Sequence, residues 1–128
     1  WYGYDDALYA AARLLELMAA GSGSEALFAG LPDMLNTPEL HVNMPEGEHY
    51  AFMDRLMGQR HEFVGAELTT IDGLRVDYAD GWGLIRASNT TPQLTLRFEA
   101  ESEEALRRIQ NNFKQLMLKL EPNLPIPF

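Results

Sequence analysis

Asp80-Gly81-Trp82-Gly83-Leu84-Ile85-Arg86-Ala87-Ser88-Asn89-Thr90-Thr91-Pro92 is the stretch on which the fold turns. Asp-Gly signals a two-residue hairpin, because both central positions of such a turn take positive φ. A buried strand follows, in which Trp82 shares the period of Leu84 and is expected to anchor the core. The strand runs into a loop that holds one cation, three hydroxyls and an amide. A phosphate needs several charge-assisted donors fixed before it arrives, since ordering floppy donors costs binding energy. A polar loop on a buried strand meets that need, although Ser, Asn and Pro are also ordinary turn residues.

Alternating runs flank this stretch: Val64, Ala66 and Leu68, then Leu74, Val76 and Tyr78, and later Leu94, Leu96, Phe98 and Ala100. Alternation at period two marks strands with one buried face. Asp72-Gly73 and Asp80-Gly81 separate the first three strands, so an antiparallel meander is expected, with a fourth strand over about 93–101. Ser102 then caps a helix whose first turn carries Glu103 and Glu104, suited to the helix dipole. Leu106, Ile109, Phe113, Leu116, Met117 and Leu120 give it one apolar face, which should dock on the sheet. Upstream, the pattern predicts a strand over 39–44 and a helix over 48–60. That helix buries Phe52 and Leu56, with Tyr50, Met53 and Met57 at the margin. Three prolines prevent the tail 122–128 from being helical, and an extended surface tail is expected.

At the other end, Asp5 or Asp6 caps a helix to about Ala20, with leucines on more than one side. Gly21-Ser22-Gly23-Ser24 reads as a flexible joint, and a short helix over 25–29 follows. The fold class is therefore α+β: a small antiparallel sheet of about four strands with two helices packed on one face, preceded by a separate N-terminal helix and a hinge. The domain reading is residues 1–20 as the end of a preceding domain, 21–38 as hinge and linker, and 39–128 as the C-terminal domain.

Composition limits the function. Nineteen acidic against ten basic residues give a formal charge of −9, which repels nucleic acid and anionic membrane surfaces. Any phosphate site must then win at short range. With no cysteine, neither disulfides nor thiolate metal sites are available, and a cytoplasmic location is expected. The apolar run near Leu14 is broken by Glu16 and falls short of the roughly 20 residues that span a bilayer. His41, His49 and His61 share no helical face and suggest no metal site, so surface or partly buried positions are expected. Asp77 should point outward from its strand and Asp80 belongs to a turn, so neither is assigned catalysis. Arg97 faces away from Leu96 and Phe98 and reads as a solvated sheet residue. Asn89-Thr90-Thr91 fits a glycosylation pattern but lacks the secretory context.

Taken whole, Gly81-Trp82-Gly83-Leu84-Ile85-Arg86-Ala87-Ser88-Asn89-Thr90-Thr91-Pro92 with Leu94-Thr95-Leu96-Arg97-Phe98-Glu99-Ala100 resembles the C-terminal domain of the α-D-phosphohexomutases. The Ser-Asn-Thr-x-Pro form is most similar to the bacterial phosphomannomutase/phosphoglucomutase branch. The opening Trp1-Tyr2-Gly3-Tyr4-Asp5-Asp6-Ala7 is similar to the end of that family's third domain, so the chain is expected to begin inside a longer protein. The resemblance implies an isomerase that moves phosphate between the 1 and 6 positions of a hexose. It implies a phosphoserine and a Mg2+ ion on other domains of the same chain, with no catalytic residue and no cofactor in this fragment, which is expected to be inactive alone. It also implies that Arg86, Ser88, Asn89 and Thr90 clamp the phosphate that is not transferred. Gly21, Ser22, Gly23 and Ser24 are placed to act as the hinge of domain closure. Two other readings stay open: a free-standing phosphosugar-binding module, and an acidic interaction or dimerisation domain.

Overall fold

The computed structural model describes residues 3–21 and 23–128. The chain divides into two compact units, Trp1–Asp33 and Met34–Phe128. The first holds α1 (Ala7–Ala20) and α2 (Ser24–Phe28). Asp6 caps α1, its carboxylate accepting the Tyr9 amide at 2.9 Å, which satisfies one of the donors a first turn leaves unpaired. No residue of α1 is buried, and Leu8 is 85% exposed, so its apolar face stands open. Of the joint residues, Gly21 ends α1, Gly23 takes φ +96° and Ser24 opens α2; Ser22 lies outside the described residues.

The second unit runs β1 (Leu35–Asn36), β2 (Leu40–Asn43), α3 (Glu48–Gly58), β3 (Glu67–Thr69), β4 (Leu74–Tyr78), β5 (Gly81–Ala87), β6 (Gln93–Ala100) and α4 (Glu103–Leu120). The expected meander is present as β3-β4-β5-β6, antiparallel throughout. The sheet has six strands where about four were expected, because two short strands share the far edge of β6. β2 pairs along its start, Leu40↔Leu96 to Asn43↔Gln93, and β1 along its end, Leu35↔Ala100 and Asn36↔Glu99. Between them Pro38 has no amide to offer the ladder. Thr37 bridges the gap: its amide donates to the Phe98 carbonyl at 3.0 Å and its hydroxyl accepts the Phe98 amide at 3.2 Å.

One sheet face is covered by α3 and α4. Leu74, Val76, Ile85, Leu94, Leu96 and Phe98 meet Phe52 and Leu56 of α3 and Ile109, Phe113 and Met117 of α4, all buried. Ser102 caps α4 as expected, its hydroxyl accepting the Ala105 amide at 3.2 Å. The buried residues of β5 are Gly81, Gly83 and Ile85, so Trp82 and Leu84 lie on the opposite face. This corrects the placing of Trp82 in the core. A Cβ on Gly83 would stand 2.5 Å from the Phe113 ring and 2.9 Å from Phe98, so α4 can lie close to the sheet only over a residue without a side chain.

Other local expectations change. β4 and β5 are joined by Ala79 and Asp80, with Tyr78 opposite Gly81, and among the described residues only glycines have positive φ. The turn is thus one residue earlier than Asp80-Gly81 and is not of the positive-φ type. Between β3 and β4 the last pair is Thr69↔Arg75, leaving a longer loop where a two-residue turn at Asp72-Gly73 was expected. Val64 sits in a turn and is 83% exposed, so the strand begins only at Glu67. His49 is buried, with its Nδ1 unpartnered, while Tyr50 is exposed. The tail is not a surface strap: Leu124 is buried and Phe128 lies with its ring centroid 5.0 Å from that of Phe98.

Replacing Gly83 by alanine should push against Phe113 and lower stability by about 1–3 kcal/mol, the usual cost of overpacking. A urea midpoint equal to that of the parent would show that the helix has room to move.

Candidate functional site

The ladder between β5 and β6 sets the site. Arg86 pairs with Thr95 and Leu84 with Arg97, so Arg86 and Arg97 stand on the same outer face, one diagonal step apart, which in an antiparallel sheet is about 7–8 Å. Arg97 was read from sequence as merely solvated. Its alternation with Leu96 and Phe98 already gave its face, and only the strand register brings it beside Arg86. His41 lies opposite Thr95 on the other side, completing a row of His41, Thr95 and Arg86 across three strands.

The other arginines of this unit have partners that can be named. Arg75 makes a forked contact with Asp77, Nε to Oδ2 at 2.9 Å and Nη2 to Oδ1 at 2.7 Å, and stacks 4.1 Å over the Trp82 ring. Arg108 holds Asp80 at 2.5 Å, Arg107 holds Glu103 at 2.9 Å, and Arg60 donates to the Met57 carbonyl. Among the described residues, Arg86 and Arg97 have no carboxylate within ion-pair distance. In a chain of charge −9, two guanidiniums without a carboxylate partner concentrate positive charge on one face.

The loop 88–92 closes β5 onto β6. The Ser88 amide donates to the Gln93 carbonyl at 2.9 Å and the Gln93 amide to the Thr91 carbonyl at 2.8 Å. Ser88 is buried, and its Oγ receives the amides of Thr90 and Thr91, both at 3.3 Å, while lying 3.0 Å from Thr91 Oγ1 and 3.4 Å from Thr90 Oγ1. One hydroxyl therefore ties the loop together, and two amides that could have faced an anion turn toward it instead. Asn89, Thr90 and Thr91 are exposed. From outside, the Tyr50 hydroxyl donates to the Ser88 carbonyl at 3.4 Å and the Met44 amide to the Pro92 carbonyl at 2.9 Å. Gln93 Nε2 lies 3.1 Å from His41 Nδ1. The sequence pattern places Tyr50 only at the margin of the helix's buried face and gives no sign of this role.

Asn89 also borders a cleft of about 240 Å³ shared with Tyr50, Met57, Thr70 and Asp72. A larger hollow of about 380 Å³ lies elsewhere, between Phe63 and α4, where Lys119 pairs with Glu62 at 2.6 Å; it has no part of the arginine face. Among the described residues no group of three or more His, Asp or Glu is placed to hold a metal ion. Nor is any described helix long and apolar enough to cross a membrane.

Residues 39–116 match the sequence profile of the phosphoglucomutase/phosphomannomutase C-terminal domain. A phosphomannomutase/phosphoglucomutase of Pseudomonas putida is 51% identical over 130 residues, covering 100% of this chain and 28% of that protein. A phosphoglucomutase of Neisseria meningitidis is 50% identical over 129 residues, covering 99% of this chain and 28% of the relative. The crystal structure of a phosphoglucomutase/phosphomannomutase family protein from Burkholderia thailandensis superposes with a TM-score of 0.84 at 47% identity, over 100% of this chain and 27% of the other. This chain thus spans little more than a quarter of the proteins it matches.

Changing Ser88 to alanine should free the Thr90 and Thr91 amides, with faster hydrogen exchange at both and a stability loss of about 1 kcal/mol. Exchange along β6 should stay as it was; unchanged protection at Thr90 and Thr91 would mean that the hydroxyl does not order the loop.

Proposed function

The chain belongs to the phosphoglucomutase/phosphomannomutase family, with residues 39–116 as that family's C-terminal domain, and from this premise we propose that its outer sheet face and loop 88–92 clamp the phosphate of a hexose phosphate. Arg86 supplies the planar charged fork, with Arg97 as a second cation from the neighbouring strand. Asn89 and Thr90 add neutral donors, and Ser88 keeps the loop in shape to present them. The observation that carries the reading is the pair of unpartnered guanidiniums beside a loop whose conformation is already tied.

Magnitudes favour such a clamp despite the negative chain. At physiological salt, charges beyond about 8 Å are largely screened, so the −9 acts weakly on a ligand until it arrives. A contact at 4 Å between unit charges is worth about 1 kcal/mol in bulk water and about 4 kcal/mol near a protein surface. Two guanidiniums at that range outweigh the distant carboxylates.

In the whole protein, on this reading, the clamp holds the phosphate that stays in place while the other end of the sugar exchanges its phosphoryl group. Binding energy at the fixed end orients the reacting end. The phosphoserine and the Mg2+ ion belong to other domains of the same chain, and closure about Gly21 to Ser24 shuts water out of the cleft. The fragment alone has no mutase activity, and its place is the cytoplasm.

An NMR titration with glucose 1-phosphate, with glucose as control, tests the clamp. Shifts should concentrate at Arg86 to Thr91 and at Arg97. Arg86→Ala and Arg97→Ala should each weaken binding roughly tenfold or more, as loss of a hydrogen bond to a charged group worth about 1.5–3 kcal/mol requires. Equal shifts with glucose, or a double variant that titrates like the parent, would rule the clamp out.

A further inference from the structure

Arg86 has a second neighbour in the sheet besides Thr95. Leu74 pairs with Ile85, so Gly73, the last residue of the loop between β3 and β4, stands opposite Arg86. Its φ is +78°, in the left-handed region that residues with a Cβ rarely adopt. A Cβ built there would overlap the Ile85 carbonyl oxygen and stand 2.6 Å from Arg86 Cβ and 2.8 Å from Arg86 Cα. Two of these three neighbours belong to Arg86 itself. A side chain at 73 is admitted only if the loop and the facing strand part, which moves the Ile85 carbonyl and the Cα–Cβ bond of Arg86 together, and a guanidinium at the end of a long side chain swings further than the atom that carries it.

The same loop reaches the other part of the site. Thr70, Asp72 and Gly73 line the cleft that Asn89 borders, so one short connection abuts both the charged strand and the polar loop. Binding constellations work when held within about 0.5 Å of their productive geometry, and a misplacement of about 1 Å can cost about a hundredfold. Gly73 lies where such a shift would begin.

We propose that Gly73 is a positioning residue for Arg86, its missing side chain setting the direction in which the guanidinium leaves the sheet. The proposal rests on the clamp reading for its functional meaning and on the contact geometry for its structural one. A matched control exists in the same chain. Gly65 has φ +75°, yet a Cβ there meets nothing within 4 Å, so Gly65→Ala carries the backbone strain without the collision.

The experiment compares the parent chain with Gly73→Ala, Gly65→Ala and Arg86→Ala. Three quantities are read: the urea midpoint, the Arg86 Nε–Hε NMR signal without ligand, and the Kd for glucose 1-phosphate. Both glycine variants should lose stability. Only Gly73→Ala should displace the Arg86 signal and weaken binding at least tenfold. If that variant does not fold, Gly73→Asn replaces it, because asparagine tolerates left-handed φ better while keeping the colliding Cβ. An unmoved Arg86 signal, parent-like affinity in the Gly73 variant, or equal weakening in Gly65→Ala overturns the proposal. If the parent and Arg86→Ala bind alike, the clamp reading fails by itself, and the ligand-free Arg86 signal still decides whether Gly73 sets that side chain.

Discussion

The seven-residue ladder of β5 against β6, from Gly81↔Ala100 to Ala87↔Leu94, is the constraint on which the rest of this unit depends. It assigns each side chain to a face. Ile85, Leu96 and Phe98 go under the helices, while Arg86, Thr95 and Arg97 go outward. A slip by one residue would invert both sets, burying a guanidinium against Phe113 and exposing the core. Gly83 makes that slip costlier still, since only at its present place can the Phe113 ring sit so close to the strand. The arginine face is therefore a product of core packing, and the strand needs no separate device to aim it.

Charge is arranged with the same economy of parts. Arg75 is tied to Asp77 on the outer face of the sheet, and Arg108 to Asp80 in the β4–β5 turn. Exposed pairs of this kind add little stability, typically under about 1 kcal/mol. The Arg75–Asp77 pair matters to the outer face as well, because it neutralises an acid on the same side of the sheet as Arg86 and Arg97. Among the described residues neither Arg86 nor Arg97 forms an ion pair.

Much of the fold was legible because it is written locally. The Ser102 cap, the apolar face of α4 and the alternation of β4 and β6 each need only a few neighbouring residues. What escaped was non-local. β1 has two residues, both exposed, and exists only because β6 offers an open edge and Thr37 spans the proline gap. Trp82 misled because the residues that share the buried face with Ile85 are glycines: alternation counts side chains, and there were none to count. The prolines of the tail forbid a helix but say nothing about burial, so Leu124 and Phe128 could still reach the core. In the site, Arg86 and its loop were readable as a motif, whereas Arg97, Tyr50 and Gly73 enter through pairing across strands.

The division of labour in the site bears on what kind of site it is. Its charges sit on strands and its neutral donors on a loop held by one buried hydroxyl, so little is left to order when an anion arrives, which is the condition for strong binding by few groups. On the outer face Asp77 is engaged with Arg75, His41 lies against Gln93 and Glu39, and among the described residues no group of three or more His, Asp or Glu is placed to hold a metal ion. A surface with preorganised cations suits the holding of a phosphate. On the proposed reading, that is the task left to a domain whose partners elsewhere in the chain move the other one.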